Sequence, residues 1–191
     1  MHQSLITKLQ RKKAVIGIIG LGYVGLPLSI RFSKVGYKVV GFDIDKSKIK
    51  CLNDNRSYIS HIPNKDIKTI KNNFSCTSLF KKINETDVVI LCVPTPLKNN
   101  KKPDLSFVIK TVKKILPHLR KGQAVSLEST TYPGTTEEIV MPFITKSNFN
   151  IGNDFFLVYS PEREDPGNKY FSTKNILKVV GGVTKNCLKV G

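Results

Sequence analysis

The 191 residues carry 31 Lys and Arg against 14 Asp and Glu, a formal net charge of +17, and 40% of them are apolar, which suits one domain of ordinary size with a genuine core. No apolar run approaches the ~20 residues of a membrane span, and the polar, basic start lacks the apolar stretch of a secretory signal. Four scattered cysteines without a C-x-x-C argue against a disulfide framework or a metal site and fit a reducing cytoplasm. The basic residues are mostly Lys in ones and twos, Arg is rare, and no RNP-like aromatic pair or zinc-finger spacing occurs. The expectation is a solvated Lys-rich surface and no nucleic-acid partner.

In chain order, residues 1–13 read as a basic N-terminal extension, with His2 in a mobile terminus. Residues 14–19 (AVIGII) are a short β-branched run, as a fully buried strand requires. A glycine turn follows, and then Val24, Leu28, Phe32 and Val35 recur at helical spacing before Gly36 stops the helix. Residues 38–42 (KVVGF) form the next strand. Strand, helix and strand within about 30 residues make a βαβ unit, which crosses over right-handedly into a parallel sheet.

Residues 45–52 predict a second helix, 53–64 a polar loop, 65–71 a short helix, 74–77 a weak strand and 79–83 a short helix. Residues 88–93 (VVILCV) are the strongest buried strand, broken at Pro94-Thr95-Pro96. A charged loop at 98–102 precedes Asp104, an N-cap for a helix with the apolar stripe Phe107, Val108, Val112, Ile115 and Leu116, near whose end His118 lies. A strand at 123–127, a helix at 135–144, a strand at 155–159, a polar loop at 160–168 and a last strand or edge at 176–180 complete the pattern. Strands alternate with helices throughout, so the expected fold is α/β: a doubly wound, mostly parallel, Rossmann-like sheet with helices on both faces, spanning residues 14–191.

Gly20-Leu21-Gly22-Tyr23-Val24-Gly25 is a G-x-G-x-x-G that directly follows a buried strand and opens a helix. In that context Gly20 makes the tight turn, Gly22 lets backbone approach a pyrophosphate and Gly25 brings helix and strand close. The free N–H groups of the loop, at Tyr23 and Val24 as well, and the positive end of the helix then face phosphate. Asp43 ends the next strand, about 20 positions on, where a carboxylate accepts hydrogen bonds from ribose hydroxyls and repels a 2′-phosphate. NAD is therefore the expected cofactor in preference to NADP, although Lys46 and Lys48 stand nearby. A glycine turn with a capping Asp, FAD, or a nucleotide bound without redox chemistry are the competing readings.

Four motifs come in order across residues 15–183: G-L-G-Y-V-G-L-P, V-P-T-P-L, E-S-T-T-Y-P-G-T-T and S-P-E-R-E-D-P-G-N. Together they resemble the UDP-glucose/GDP-mannose dehydrogenase family. S-Y-I-S-H-I, E-S-T-T-Y-P and P-E-R-E-D-P-G are most similar to its UDP-N-acetylglucosamine 6-dehydrogenase branch. The resemblance implies oxidation of a sugar C6 alcohol to a carboxylate with two NAD, in surface-polysaccharide precursor synthesis. It implies pyrophosphate at Gly20, Gly22 and Gly25, adenosine ribose at Asp43, and cofactor lined by Pro94 and Thr95. Thr130 would meet the nicotinamide side and help hold a catalytic water, Glu162 would serve acid–base chemistry or hydrolysis of a covalent intermediate, and Arg163 would lie close by. The positive surface would attract an anionic sugar nucleotide.

The residues themselves leave alternatives open. Residues 94–96, 128–131 and 160–164 each follow an expected strand and should converge on one crevice beyond the strand ends. The Thr130 hydroxyl suits holding water or an amide, and Glu162 suits a base if burial raises its pKa. Yet Thr130 and Thr131 could serve only as caps, Glu162 could pair only with Arg163 or a Lys, and Pro94 and Pro96 could be a strand stop. His61, in a loop without an acidic partner in view, reads as surface or substrate-adjacent rather than catalytic. Family members are about twice as long and, by the resemblance, carry the catalytic Cys and the UDP-sugar site in a further domain. The expectation is that this chain alone is not a competent dehydrogenase; a truncated gene product, one half of a split enzyme with a complementing C-terminal half that supplies the sugar site, and an excised domain are the open readings. A non-catalytic NAD-binding module, or a piece of a different Rossmann dehydrogenase, are the alternatives.

Overall fold

A computed structural model describes residues 1–98, 102–161 and 177–191. Among them lie strands β1 (Val15–Ile19), β2 (Lys38–Phe42), β3 (Phe74–Thr77), β4 (Val88–Leu91), β5 (Ala124–Leu127), β6 (Phe156–Tyr159) and β7 (Gly181–Gly182). The helices are α1 (His2–Gln10), α2 (Gly25–Lys34), α3 (Lys46–Asn53), α4 (Asn64–Ile70), α5 (Ser106–Ile115), α6 (Met141–Lys146) and α7 (Lys185–Val190). The sheet order is β3-β2-β1-β4-β5-β6-β7. The first six strands run parallel and β7 pairs antiparallel with β6.

This order follows from burial. β1 and β4 are apolar on both faces, so each must sit inside the sheet and be covered from both sides. Ile16, Ile18 and Ile90 point to one face, where they meet Leu26 of α2, Leu52 of α3 and Ile67 of α4. Val89, Leu91, Val125 and Leu127 point to the other, against Val108, Val112 and Ile115 of α5 and Ile144 of α6. After β3 the chain returns past β2 to place β4 beside β1. The strand order reverses there, and the crevice at the carboxyl ends of β1 and β4 is where a doubly wound sheet takes its ligand.

Three regions differ from the sequence expectations. Residues 1–13 are not a free basic extension. They form α1, whose Leu5 is 2% exposed and packs with Ala124, Phe156 and Cys187 of α7. Burying that one leucine contributes about 2 kcal/mol. Lys8 of α1 also pairs with Asp87 at 2.9 Å. Residues 177–180 form no strand. The sheet is extended instead by Gly181–Gly182, opposite Tyr159 and Val158. α7 follows, capped by Thr184, whose hydroxyl accepts the Cys187 N–H. The helix expected at 135–144 opens with a π turn over Thr136–Val140 before α6. Pro142 has no N–H to donate backwards, so the widened turn sits where a regular helix would leave a bond unmade.

Candidate functional site

Gly20 follows β1 with φ +90°, and its N–H donates to Phe42 O at 2.8 Å. A side chain there would meet Cys92 O at 2.6 Å, and one on Gly25 would stand 1.9 Å from Gly20 O. Both positions are therefore restricted to glycine by close approach of backbone. Gly22 differs: a Cβ there would meet nothing within 4 Å. The missing side chain leaves open space at the mouth of α2 rather than relieving a protein contact. The N–H groups of Gly22, Tyr23 and Val24 take no acceptor among the described residues, as expected for the first donors of a helix. Three free donors and the positive helix end beside a space without a Cβ form a fitting cradle for a diphosphate.

Asp43, the first residue after β2, is 7% exposed. Its Oδ2 accepts the Leu21 N–H at 2.9 Å and its Oδ1 accepts the Asp45 N–H at 2.9 Å. The carboxylate thus holds the glycine loop, a task the sequence did not disclose. Two oxygens offer about four lone-pair sites, so hydroxyl donors still find acceptors there. Lys48 Nζ lies 3.7 Å from Asp43 Oδ2 and 5.8 Å from the ring centre of Tyr58. The Tyr58 hydroxyl donates to Leu21 O. Burial, with Asp43 nearby, pushes the Tyr58 phenol well above its ordinary pKa. Asp45 caps α3, and hydrogen bonds from the Ser47 side chain and backbone hold its carboxyl below the usual range.

Gly20, Gly22, Asp43, Asp45 and Lys48 line one cleft of about 620 Å³ at the carboxyl ends of β1, β2, β4 and β5. Of the expected cofactor residues, Gly20, Gly22, Tyr23, Val24, Asp43, Pro94, Thr95 and Thr130 all face it, while Gly25 packs behind the loop. Thr130 is exposed at its rim, free of any capping bond among the described residues. Beneath it the Ser129 hydroxyl donates to Val93 O at 2.7 Å and ties the ends of β4 and β5 together. Thr135, not Thr130, makes the local turn bond, donating to Tyr132 O at 2.7 Å. Glu162 and Arg163 lie outside the described residues.

Sequence reasoning missed several lining groups. Ile44 is 74% exposed beside Asp43, and Phe107 of α5 lines the same cleft. Glu128, which the sequence did bring to this crevice, is buried and ion-paired with Lys178, a partner the sequence did not disclose. That partner lies 50 positions away, so no local pattern signals it. His61 is exposed and stacks on Tyr23, with ring centres 6.0 Å apart. Among the described residues no cluster of His, Cys, Asp and Glu could hold a metal ion, and no helix is long and apolar enough to cross a membrane.

Comparison with known proteins agrees with this geometry. Protein CapL of Staphylococcus aureus is 39% identical over 92% of this chain and 41% of its own length. The UDP-N-acetyl-D-glucosamine 6-dehydrogenase of Salmonella typhi is 39% identical over 88% of this chain and 40% of its own. Among solved structures, the UDP-N-acetyl-mannosamine dehydrogenase Cap5O from S. aureus superposes with a TM-score of 0.84 at 33% identity, covering 92% of this chain and 43% of that one. The chain therefore spans about 40% of the length of the relatives it matches. Residues 14–191 match the NAD-binding domain of the UDP-glucose/GDP-mannose dehydrogenase family, and with the glycine cradle and Asp43 in place this chain belongs to that family and carries its NAD-binding domain.

Proposed function

We propose that this chain is the NAD-binding part of a UDP-N-acetylglucosamine 6-dehydrogenase that works in the cytoplasm on polysaccharide precursors. The observation that carries the cofactor half of this reading is the cleft, with free amides at Gly22, Tyr23 and Val24 on one side and the Asp43 carboxylate on the other. When bound there, NAD supplies the hydride acceptor for an alcohol oxidation. The chain's own residues bind and orient. The loop amides take the diphosphate, and Asp43 accepts ribose hydroxyls. Thr130 stands at the rim, where its hydroxyl suits holding an amide or a water. Glu162, beyond β6, is proposed as the acid–base group of the same crevice, and the sugar site is assigned to a complementing C-terminal half.

The sugar rests on the motifs and on the 39% identity to the S. typhi glucosamine enzyme, against 36% to a mannosamine dehydrogenase of Methanococcus aeolicus. UDP-N-acetylmannosamine is the second reading for that reason. The test is calorimetric titration of the chain with NAD and NADP, then NADH production from both sugars once a C-terminal half is supplied. NAD binding at least ~10-fold tighter than NADP is expected, from one like-charge repulsion at Asp43. Equal affinities would remove the role given to Asp43, and NADH from the mannosamine sugar alone would replace the substrate.

A further inference from the structure

The Leu21–Gly22 peptide decides what the cleft presents to an anion. In a trans peptide the C=O and the following N–H point in opposite directions. With the Leu21 carbonyl turned away, the Gly22 N–H faces the cleft. Flipped, the same peptide would present a partial negative charge where a diphosphate must rest. A peptide that precedes glycine flips at little steric cost, because glycine accepts either sign of φ. Something other than the glycine loop itself must therefore hold its sense.

The structure places two groups on Leu21. Asp43 accepts its N–H at 2.9 Å, and the Tyr58 hydroxyl donates to its carbonyl. Tyr58 comes from the polar segment between α3 and α4, 37 positions along the chain. That segment is pinned by Ile59 and Ile62, which are buried in the same core as Leu21 and Leu26. Local bonds hold its turn: Ser57 N–H to Asn64 Oδ1 at 2.7 Å and Ile59 N–H to Ser57 Oγ at 3.1 Å. His61, three residues on, stacks on Tyr23 of the glycine loop. The segment braces the loop at two points, and only the Tyr58 contact is directed at a peptide group. The raised phenol pKa keeps the donor proton in place through neutral pH.

We propose that Tyr58 is a positioning residue for the dinucleotide: its hydroxyl fixes the Leu21 carbonyl away from the cleft and so keeps the Gly22 N–H aimed at the diphosphate. The proposal rests on NAD binding in this cleft. Tyr58→Phe keeps the ring, its packing and its place beneath Lys48, and removes only the O–H.

The test compares three ligands on the wild-type chain and Y58F: NAD, ADP, and adenosine, which has no phosphate. Titrations followed by amide NMR give both affinity and the response of the Gly22 resonance. The expected result is roughly 5- to 10-fold weaker NAD and ADP in Y58F, the effect of one lost hydrogen bond, with adenosine unchanged and a smaller Gly22 shift on ADP binding. Unchanged adenosine also certifies that the variant is folded. Equal loss for all three ligands would mean that Tyr58 shapes the cleft generally, and unchanged NAD affinity would mean that the loop needs no brace; either overturns the proposal. If the wild-type chain bound neither NAD nor ADP, the cofactor reading itself would fall, a result separable from silence of the variant alone.

Discussion

Two buried aspartates stand at opposite ends of the parallel sheet, each 5–7% exposed. Asp87 precedes β4 at the amino end, and Asp43 follows β2 at the carboxyl end. Both accept backbone N–H groups and both face cations. At Asp87 the set is closed: Val15 N–H at 3.0 Å, Lys8 at 2.9 Å and Arg120 at 3.0 Å converge on it, and Arg120 also donates to Thr86 O and Asn84 O. Asp87 takes no part in the lining of the cleft that Asp43 borders. At Asp43 two backbone donors are bound, the only cation stands off at 3.7 Å among the described residues, and a cleft begins. The same residue type thus ties chain ends together in one place and leaves acceptor capacity for a ligand in the other.

Removing Asp87 should give the largest effect. Asp87→Ala orphans the Val15 N–H and unpairs two cations, one from α1 and one from the turn before β5. Those cations are 40–48% exposed, so water recovers part of the loss. A cost of about 2–3 kcal/mol is expected, read by chemical denaturation, with NAD affinity unchanged. The acid limb carries a second signature. Burial alone would raise the Asp87 pKa, but hydrogen bonds from Lys8, the Val15 N–H and Arg120 outweigh it and hold the carboxyl below the usual range. A depressed folded pKa stabilises fully above the unfolded value of about 4 and less as pH falls through the folded one. Asp87→Ala should therefore flatten the loss of stability below about pH 4. If it weakened NAD binding as much as a change at Asp43, the division of labour between the two carboxylates would be wrong.

Asp43→Asn is the reciprocal change. The amide keeps one acceptor oxygen but turns an NH₂ group toward one of the two backbone donors, so the glycine loop loses half its anchor. NAD affinity should fall about 10-fold, with the charge-assisted bonds to ribose weakened. NADP should lose less, because the repulsion of its 2′-phosphate goes too. Parallel titrations would read this as a narrowed preference between the two cofactors. An unchanged preference would mean that Asp43 serves only the loop.

The contrast also marks what the sequence made legible. β2 and β3 occupy the residues their apolar pattern indicated, and the cradle was readable because Gly20, Gly22, Gly25 and Asp43 act through short-range backbone geometry that a βαβ unit imposes. The Asp87 cluster was not readable. Lys8 lies 79 positions from its partner and Arg120 lies 33 away, and α1 has too thin an apolar stripe to announce itself. Leu5 and Leu9 gain meaning only against Phe156 and Cys187, brought near by the folded sheet. Tyr58 was hidden for the same reason: a polar loop reads as solvent-facing until its hydroxyl is seen on a carbonyl 37 residues back. β7 was misjudged because a Gly-Gly pair carries no strand propensity, while Leu177, Val179 and Val180 before it do. There pairing with β6 and the close fit of α7 decide, not propensity.

Lys48 offers the smallest and most selective probe of the cleft. Its side chain is 34% exposed and its Nζ is 3.7 Å from the buried Asp43 oxygen, too far for a strong hydrogen bond and close enough to screen the charge. A cation there shields an approaching 2′-phosphate from Asp43, so it works against the selectivity that Asp43 creates. Lys48→Ala should lower NADP affinity by about 3-fold and change NAD by less than 2-fold, in line with a partly solvated ion pair. The effect should persist on an Asp43→Asn background, because the attraction of the ammonium for the 2′-phosphate adds to the repulsion from Asp43 and does not depend on it. A Lys48→Ala effect that vanished there would mean that the ammonium acts only by holding the Asp43 carboxylate in place.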